Sequence, residues 1–238
     1  WHPDVRRMLL TQKAIAEGGR AMVYGAAKIA DQMFNAVTEG DQAKYKKYDD
    51  ELGFYTPILK GFLTEMGLEA ANLGIQVFGG HGYIGEHGME QIARDARIST
   101  LYEGTTGIQA LDLLGRKVLL NTKGKCVRDF SATMLRLIKP YSLQRTPMGQ
   151  MMRTLARRTA QWNVLTTLIM LRASKDREQV GSSSVDYLMY SGFVMMAYFW
   201  ALQASKAAEL FASGKGKESN DFYTAKIQTA EFYFARLL

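Results

Sequence analysis

Apolar side chains recur at three- and four-residue steps along most of the chain, and this spacing predicts the buried faces of α-helices. The first such segment covers residues 5–37 and the second covers residues 54–77. Only 4 prolines occur among 238 residues, and no convincing alternating pattern of a strand separates the helical segments. The sequence therefore predicts an all-α fold built from long helices.

The helical period breaks at a glycine-rich stretch and then returns. We predict an irregular region over residues 79–104, with one helical turn at about 89–94, and a helix from 105 to about 119. Three or four further helices are predicted, at about 127–138, 149–174, 184–212 and 220–237. Asp186 and Asn220 are candidate caps for the last two helices.

Two polar stretches predict connections between the helical segments. Residues 44–51 are rich in charge and are predicted to form a solvated connection. Residues 121–125 are polar, basic and contain a glycine, so they are the best candidate for a domain boundary. This boundary predicts an up-and-down helical bundle over residues 1–121, followed by a second helical bundle over residues 122–238.

Composition excludes several classes of function. The 30 basic and 23 acidic residues give a net charge of +7, but the basic residues are scattered and are not interleaved with aromatic residues, which argues against nucleic-acid binding. With 3 histidines and 1 cysteine, neither a disulfide framework nor a common zinc site is expected, and no metal is predicted.

The hydropathy pattern bears on location. Residues 187–205 carry no charge, but polar side chains among them lower the hydropathy of the segment. The segment therefore predicts a buried helix and not a membrane span. The first residues lack a signal-peptide pattern, and we expect a cytoplasmic protein.

A first candidate site follows the second predicted helix, in residues 74–83. This stretch contains Gly79, Gly80 and Gly82 and predicts a helix that ends in a glycine turn. Backbone amides in such a turn can approach a phosphate or an adenine ring. Glycine is also the usual residue at a helix C-terminus, so this element alone leaves a purely structural role open.

A second candidate site surrounds Glu103, between Tyr102 and Gly104. Apolar neighbours such as Ile98 and Leu101 predict a poorly solvated carboxylate, which is a stronger base than one in water. Gly104 would let a substrate approach closely. The alternative is that Glu103 only precedes the next helix, where an acidic residue is common.

Taken together, the two clusters resemble a known family. They contain Gln-x-x-Gly-Gly-x-Gly-Tyr at residues 76–83, Arg-Asp at 94–95 and Tyr-Glu-Gly-Thr at 102–105. This order and spacing resemble the C-terminal helical domain of the flavin-dependent acyl-CoA dehydrogenases, and the resemblance covers residues 5–119. Residues 221–226 make the second half similar to the extra helical domain in the branch related to 3-methylmercaptopropionyl-CoA dehydrogenase.

The resemblance implies a reaction and a set of site residues. Glu103 would remove the proton next to the carbonyl of an acyl-CoA thioester, and hydride transfer to FAD would yield a trans-2-enoyl-CoA. The Glu103 backbone N–H and a flavin hydroxyl would stabilise the carbonyl oxygen, with Gly104 and Tyr102 contacting the substrate. The implied FAD-binding residues are Gln76, Val77, Phe78, Gly79, Gly80, Thr105 and Gly107.

The resemblance also implies partners and missing parts. An electron-transfer flavoprotein would accept the electrons, and the protein would be a homo-oligomer. The family needs an N-terminal helical domain and a middle β domain to enclose the flavin, and neither is present in this sequence. We therefore expect the C-terminal part of a longer enzyme, inactive by itself and without tightly bound FAD. The alternative function is a non-catalytic helical assembly module.

Overall fold

A computed structural model describes residues 2–238 and confirms the all-α prediction, since it contains helices and no strand within that range. The α-helices in chain order are α1 (Pro3–Thr38), α2 (Gln42–Phe78), α3 (Gly80–Tyr83), α4 (Met89–Ile98), α5 (Thr106–Leu111), α6 (Lys125–Ile138), α7 (Pro147–Ala173), α8 (Glu178–Ser213) and α9 (Asn220–Arg236). A short 3₁₀ turn covers Gly85–His87, and a π-helical segment covers Asp112–Asn121 and continues α5.

The start of α1 shows how local sequence sets a helix boundary. Pro3 occupies the first turn, where the missing N–H of proline costs nothing. His2 Nδ1 accepts a hydrogen bond from the Asp4 backbone N–H at 3.2 Å, so His2 acts as the N-terminal cap. Asp4 places a negative charge near the positive end of the helix dipole.

The predicted connection over residues 44–51 is wrong, because these residues belong to α2. Asp41 caps the helix by accepting a hydrogen bond from the Lys44 backbone N–H at 2.9 Å. Tyr48 and Leu52 are partly buried against the core at a four-residue step, a period that the surrounding charges concealed. Glu51 is half-buried as well, and this burial raises the pKa of its carboxyl.

The predicted caps of the last two helices are also wrong. Because α8 begins at Glu178, Asp186 lies inside the helix on an exposed face. The Asp176 carboxylate, which precedes α8, accepts a hydrogen bond from the Glu178 backbone N–H at 3.0 Å. At α9 the cap is Ser219, whose Oγ accepts from the Phe222 N–H at 3.2 Å, and Asn220 is the first helical residue.

The long helix α8 packs against α1, α2, α5, α7 and α9. Glycines allow the closest of these contacts. A side chain at Gly192 of α8 would begin 2.1 Å from the Phe62 ring of α2, and one at Gly18 of α1 would begin 2.6 Å from Trp200 Nε1. Trp200 Nε1 also donates to the Ala14 carbonyl at 3.1 Å, which ties α8 to α1.

One continuous group of buried residues joins both halves of the chain, with Met22 and Phe62 from the first half and Trp162 and Trp200 from the second. The uncharged residues 187–205 lie in α8 and are largely buried in this core, as predicted. No helix in residues 2–238 combines the length and the hydropathy that a bilayer crossing requires. The division into domains at residue 121 stays a prediction.

Candidate active site

The glycine corner, residues 79–82, follows the end of α2 directly. Gly79 adopts φ 60° and ψ −141°, a backbone conformation that residues with a side chain rarely adopt, and its N–H donates to the Gln76 carbonyl at 3.1 Å. A side chain at Gly82 would begin 2.4 Å from the Ile75 carbonyl oxygen, so α3 can fold back against α2 only with glycine there. Both glycines are thus required by the backbone itself.

The residues predicted to contact FAD are mostly at the surface. Gln76, Phe78, Gly79 and Gly80 are exposed, and Val77 is half-buried. Apart from the adjacent residues and the backbone of its own helix, no atom lies within 4 Å of the position that a side chain at Gly80 would occupy. The corner therefore presents accessible backbone with free space above it, which fits the approach of a flat or phosphate-bearing group.

The Glu103 turn, residues 99–105, connects α4 to α5. Glu103 has φ 52° and Gly104 has φ 90°, so both residues adopt left-handed backbone conformations. Only two residues other than glycine in residues 2–238 have a positive φ, and the other is Lys123. Such a conformation costs a residue with a side chain about 1–2 kcal/mol and persists where the surroundings enforce it.

Side chains of two helices hold the Glu103 turn in place. Lys60 of α2 donates from Nζ to the Ser99 carbonyl and to the Gly104 carbonyl, each at 2.8 Å. Gln109 of α5 donates from Nε2 to the Glu103 carbonyl at 3.3 Å. These hydrogen bonds satisfy three carbonyl groups of the turn and enforce its conformation.

The residues after Glu103 begin α5. Thr105 Oγ1 accepts a hydrogen bond from the Ile108 N–H at 3.4 Å, so this predicted FAD contact is also the N-terminal cap of the helix. Thr106 Oγ1 donates to Glu65 of α2. Gly107 lies in the first turn of α5 and is partly buried. Side chains of α2 therefore form hydrogen bonds with residues before and after Glu103.

The expectation of an enclosed Glu103 carboxylate is wrong for this chain. The Glu103 side chain is exposed, and the apolar residues that were expected to enclose it are themselves about half exposed: Ile98 at 53 %, Leu101 at 48 % and Tyr102 at 53 %. The reason is that α4 lies at the surface of the helical core and contains no fully buried residue. These apolar side chains form an open surface around the turn instead of a pocket.

A cavity of about 450 Å³ lies beside the turn, between α2, α5 and α8. Glu65, Met66 and Thr106 line it, together with Val185 and Met189 of α8. Glu103 does not line this cavity. Within residues 2–238, no group of three or more His, Cys, Asp or Glu side chains is arranged to hold a metal ion.

Sequence reasoning missed the two side chains of α2 that fasten the turn, Lys60 and Glu65. A signal was nevertheless present, because Lys60 is a charged residue between Ile58 and Phe62, both fully buried. A lysine in such an apolar stretch needs a partner for its ammonium group. The sequence does not reveal that this partner is a pair of carbonyl groups about 40 residues away.

Comparisons with known proteins identify the family. The model of the acyl-CoA dehydrogenase C-terminal domain matches residues 1–119, and the model of the acetyl-CoA dehydrogenase C-terminal-like domain matches residues 127–238. The chain belongs to the acyl-CoA dehydrogenase family. This finding confirms the resemblance that the glycine corner and the Glu103 turn indicated.

Individual relatives extend this result. Over 237 residues the chain is 36 % identical to 3-methylmercaptopropionyl-CoA dehydrogenase of Ruegeria pomeroyi. Over 243 residues it is 31 % identical to the broad-specificity linear acyl-CoA dehydrogenase FadE5 of Mycobacterium tuberculosis. In both cases the whole chain is matched, but it spans only 39 % of the relative's length.

A solved structure supports the fold. The acyl-CoA dehydrogenase of Bacillus anthracis, solved in complex with FAD, matches with a TM-score of 0.71. The match covers 98 % of this chain and 39 % of the other, at 17 % sequence identity. At this identity the likeness shows a shared fold, and the helical arrangement described above is therefore one that acyl-CoA dehydrogenases adopt.

Proposed function

We propose that this chain is the C-terminal helical part of an FAD-dependent acyl-CoA dehydrogenase and that Glu103 is its catalytic base. The observation that carries the proposal is the strained backbone of Glu103, which is held by Lys60 and Gln109 at the centre of the family motif. Left-handed conformations of residues other than glycine concentrate at functional sites, because surrounding contacts must offset their cost.

The turn offers the two groups that removal of an α-proton needs. The Glu103 carboxylate, which forms no ion pair among residues 2–238, is free to accept the proton. The Glu103 backbone N–H donates to no acceptor in the same residues, so it can donate to the thioester oxygen as negative charge develops there. A side chain at Gly104 would begin 2.7 Å from Gln109 Nε2, so glycine there leaves space for this amide, and Tyr102 is exposed beside the turn.

The glycine corner fits the cofactor that the family uses. Gln76, Val77, Phe78, Gly79 and Gly80 would hold the adenosine diphosphate half of FAD, because all of them but Val77 are exposed and Gly80 leaves the space above it open. Thr105, which is exposed, and Gly107, which is partly buried, would contact FAD as well. When bound, FAD supplies the acceptor for the hydride that leaves the carbon next to the α-carbon.

We propose that other parts of a longer polypeptide enclose the site, a proposal that the exposure of Glu103 supports. A carboxylate in water is too weak a base for a thioester α-proton, and enclosure would strengthen it. We therefore propose that the 238-residue chain alone neither oxidises acyl-CoA nor retains FAD. A flavin absorbance spectrum of the purified chain tests this, and stoichiometric FAD would contradict it.

The role of Glu103 is tested in the longer enzyme that contains this chain. Glu103→Gln keeps the shape of the side chain but removes the base, and we expect turnover of acyl-CoA to fall at least about a thousandfold, with FAD content unchanged. The matched control is Glu218→Gln, an exposed glutamate in the connection before α9, which should retain full activity. Comparable turnover in the two variants would remove Glu103 from the mechanism.

The alternative, a helical assembly module, has one observation in its favour. Val23, Tyr24, Phe34 and Val37 of α1 are large apolar residues that are 47–69 % exposed, a pattern typical of a surface that contacts another subunit. Homo-oligomerisation through this domain is compatible with catalysis. A purely structural module would tolerate Glu103→Gln without loss of activity, so the same experiment separates the two functions. An electron-transfer flavoprotein as electron acceptor is proposed from the family alone.

A further inference from the structure

Lys60 is the only basic side chain in residues 2–238 that spans the Glu103 turn. Its ammonium group donates to the Ser99 carbonyl before the turn and to the Gly104 carbonyl after it. The side chain is partly buried, and it makes no ion pair within the described part of the chain. Backbone carbonyl groups of the turn are therefore the hydrogen-bond partners of its charge.

We propose that Lys60 is a positioning residue that sets the backbone geometry of Glu103 for proton removal. Its two hydrogen bonds draw the carbonyls of residues 99 and 104 towards one cation, which closes the intervening backbone into a tight turn. Ser99 also follows the last residue of α4, so the cation lies at the negative end of that helix dipole. The ring of Tyr102 lies 5.8 Å from Nζ and adds a cation–π contact.

The surroundings of Lys60 make this arrangement rigid. Lys60 projects from the middle of α2, next to Gly61, where a side chain would begin 2.7 Å from Leu188 and 3.3 Å from Gln109 Cβ. Gly61 thus lets α5 and α8 pack closely against α2 beside the lysine. As a result, Lys60 and Gln109 reach the turn from two helices whose separation is fixed by the core.

Removal of the ammonium group would release the turn. Without a donor between them, the Ser99 and Gly104 carbonyls repel each other, and nothing in the described residues replaces Nζ. Glu103 would then leave its left-handed conformation, since little would enforce it. Both its carboxylate and its backbone N–H would lose their fixed direction, although neither group is altered chemically.

The first test measures the turn itself and needs no activity. In the 238-residue chain, we compare amide hydrogen exchange of a peptide covering residues 99–105 in the wild type, in Lys60→Met and in Lys60→Arg. The Leu101 and Tyr102 amides, which donate to the Ile98 carbonyl, should exchange about tenfold faster in Lys60→Met. Lys60→Arg should lie between the two, because it keeps the charge and the donors.

The control variant is Lys206→Met, which removes a lysine that pairs with Glu209 on the exposed face of α8. It should leave exchange of residues 99–105 unchanged. If Lys60→Met does not fold, Lys60→Gln replaces it, since its shorter, uncharged side chain cannot place one cation between the two carbonyls. Unchanged exchange in a folded Lys60→Met, or in Lys60→Gln where that variant replaces it, would overturn the proposal.

The second test concerns catalysis and rests on the proposed function. In the longer enzyme, Lys60→Met should lower kcat by on the order of tenfold to a hundredfold, with KM for acyl-CoA within about twofold and FAD content unchanged. Lys60→Arg should restore part of kcat. A parallel loss of FAD, or an unchanged kcat, would contradict the positioning role. An active Glu103→Gln would instead refute the proposed base and leave the exchange result standing.

Discussion

The packing of α8 against α1 and α2 and the fixing of the Glu103 turn depend on different physical contacts. Between the helices, large aromatic side chains fill spaces above glycines, and one polar contact, from Trp200 to Ala14, accompanies them. In the turn, lysine and glutamine side chains bind backbone carbonyls, while the apolar side chains remain half exposed. The first region is stabilised by burial and shape, and the second by directed hydrogen bonds.

This difference means that the two regions should respond differently to substitution. A change in the helix packing disturbs a core that both halves of the chain share, so it should lower the free energy of unfolding of the whole chain. A change in the turn should alter the local backbone with little effect on global stability, because few buried contacts depend on it. Three substitutions follow in order of expected effect: one in this helix packing, one in a largely buried ion pair between α1 and α9, and one in the turn.

The largest effect is expected for Gly192→Ala in α8. The added Cβ would begin 2.1 Å from the Phe62 ring, which is fully buried and has no free space to move into. We expect a loss of about 3 kcal/mol in the free energy of unfolding, measured by urea denaturation. Gly181→Ala in the same helix is the matched control, since open space surrounds that position, and it should be stabilising by about 0.5 kcal/mol.

A smaller effect is expected for Glu17→Gln, which breaks the link between α1 and α9. Glu17 Oε2 accepts from Lys226 Nζ at 2.6 Å, and both side chains are about four-fifths buried. Burial alone would raise the pKa of Glu17, but hydrogen bonds from Lys13 and Lys226 outweigh it and lower the pKa. The variant should lose about 2 kcal/mol at pH 7.

The pH dependence of stability tests whether the pKa of Glu17 is lowered on folding. Because the pKa of Glu17 is lowered on folding, its contribution is complete above the ordinary glutamate value of about 4.3 and disappears as the pH falls through the folded value. Thermal unfolding temperatures of the wild type and of Glu17→Gln should therefore differ at pH 7 and converge in acid. A difference that grows as the pH falls would contradict the assigned direction.

The smallest effect on stability is expected for Glu103→Gly in the turn. Glycine relieves about 1–2 kcal/mol of left-handed strain but costs about 0.5–1 kcal/mol in chain entropy, so a gain of about 0.5 kcal/mol should remain. Lys123→Gly is the matched control, since Lys123 has φ 48° and lies outside the candidate site. Urea denaturation should show similar gains in the free energy of unfolding for the two variants. If only Glu103→Gly loses the activity of the longer enzyme, the strain at Glu103 is retained for function.

Part of the fold and the two glycine-containing turns of the candidate site could be predicted from the sequence because their signals are local. Long helices follow from a 3.6-residue period, and Gly79 and Gly104 mark turns because their backbone conformations suit only glycine. The helix across residues 44–51 was missed because charged residues on its exposed face hid the apolar period of Tyr48 and Leu52. Capping by Ser219 instead of Asn220 was missed because adjacent polar residues compete for the same role.

By itself, therefore, the sequence determined the helical class, the glycine corner and the motif around Glu103, since each is encoded within a few neighbouring residues. Only the tertiary structure decided that α8 packs against the first two helices, that Lys60 holds the turn, and that Glu103 is exposed. The reason is that packing partners and solvent exposure depend on residues far apart in the chain. Whether an apolar side chain such as Leu101 encloses a carboxylate or lies at the surface is decided by what packs over it.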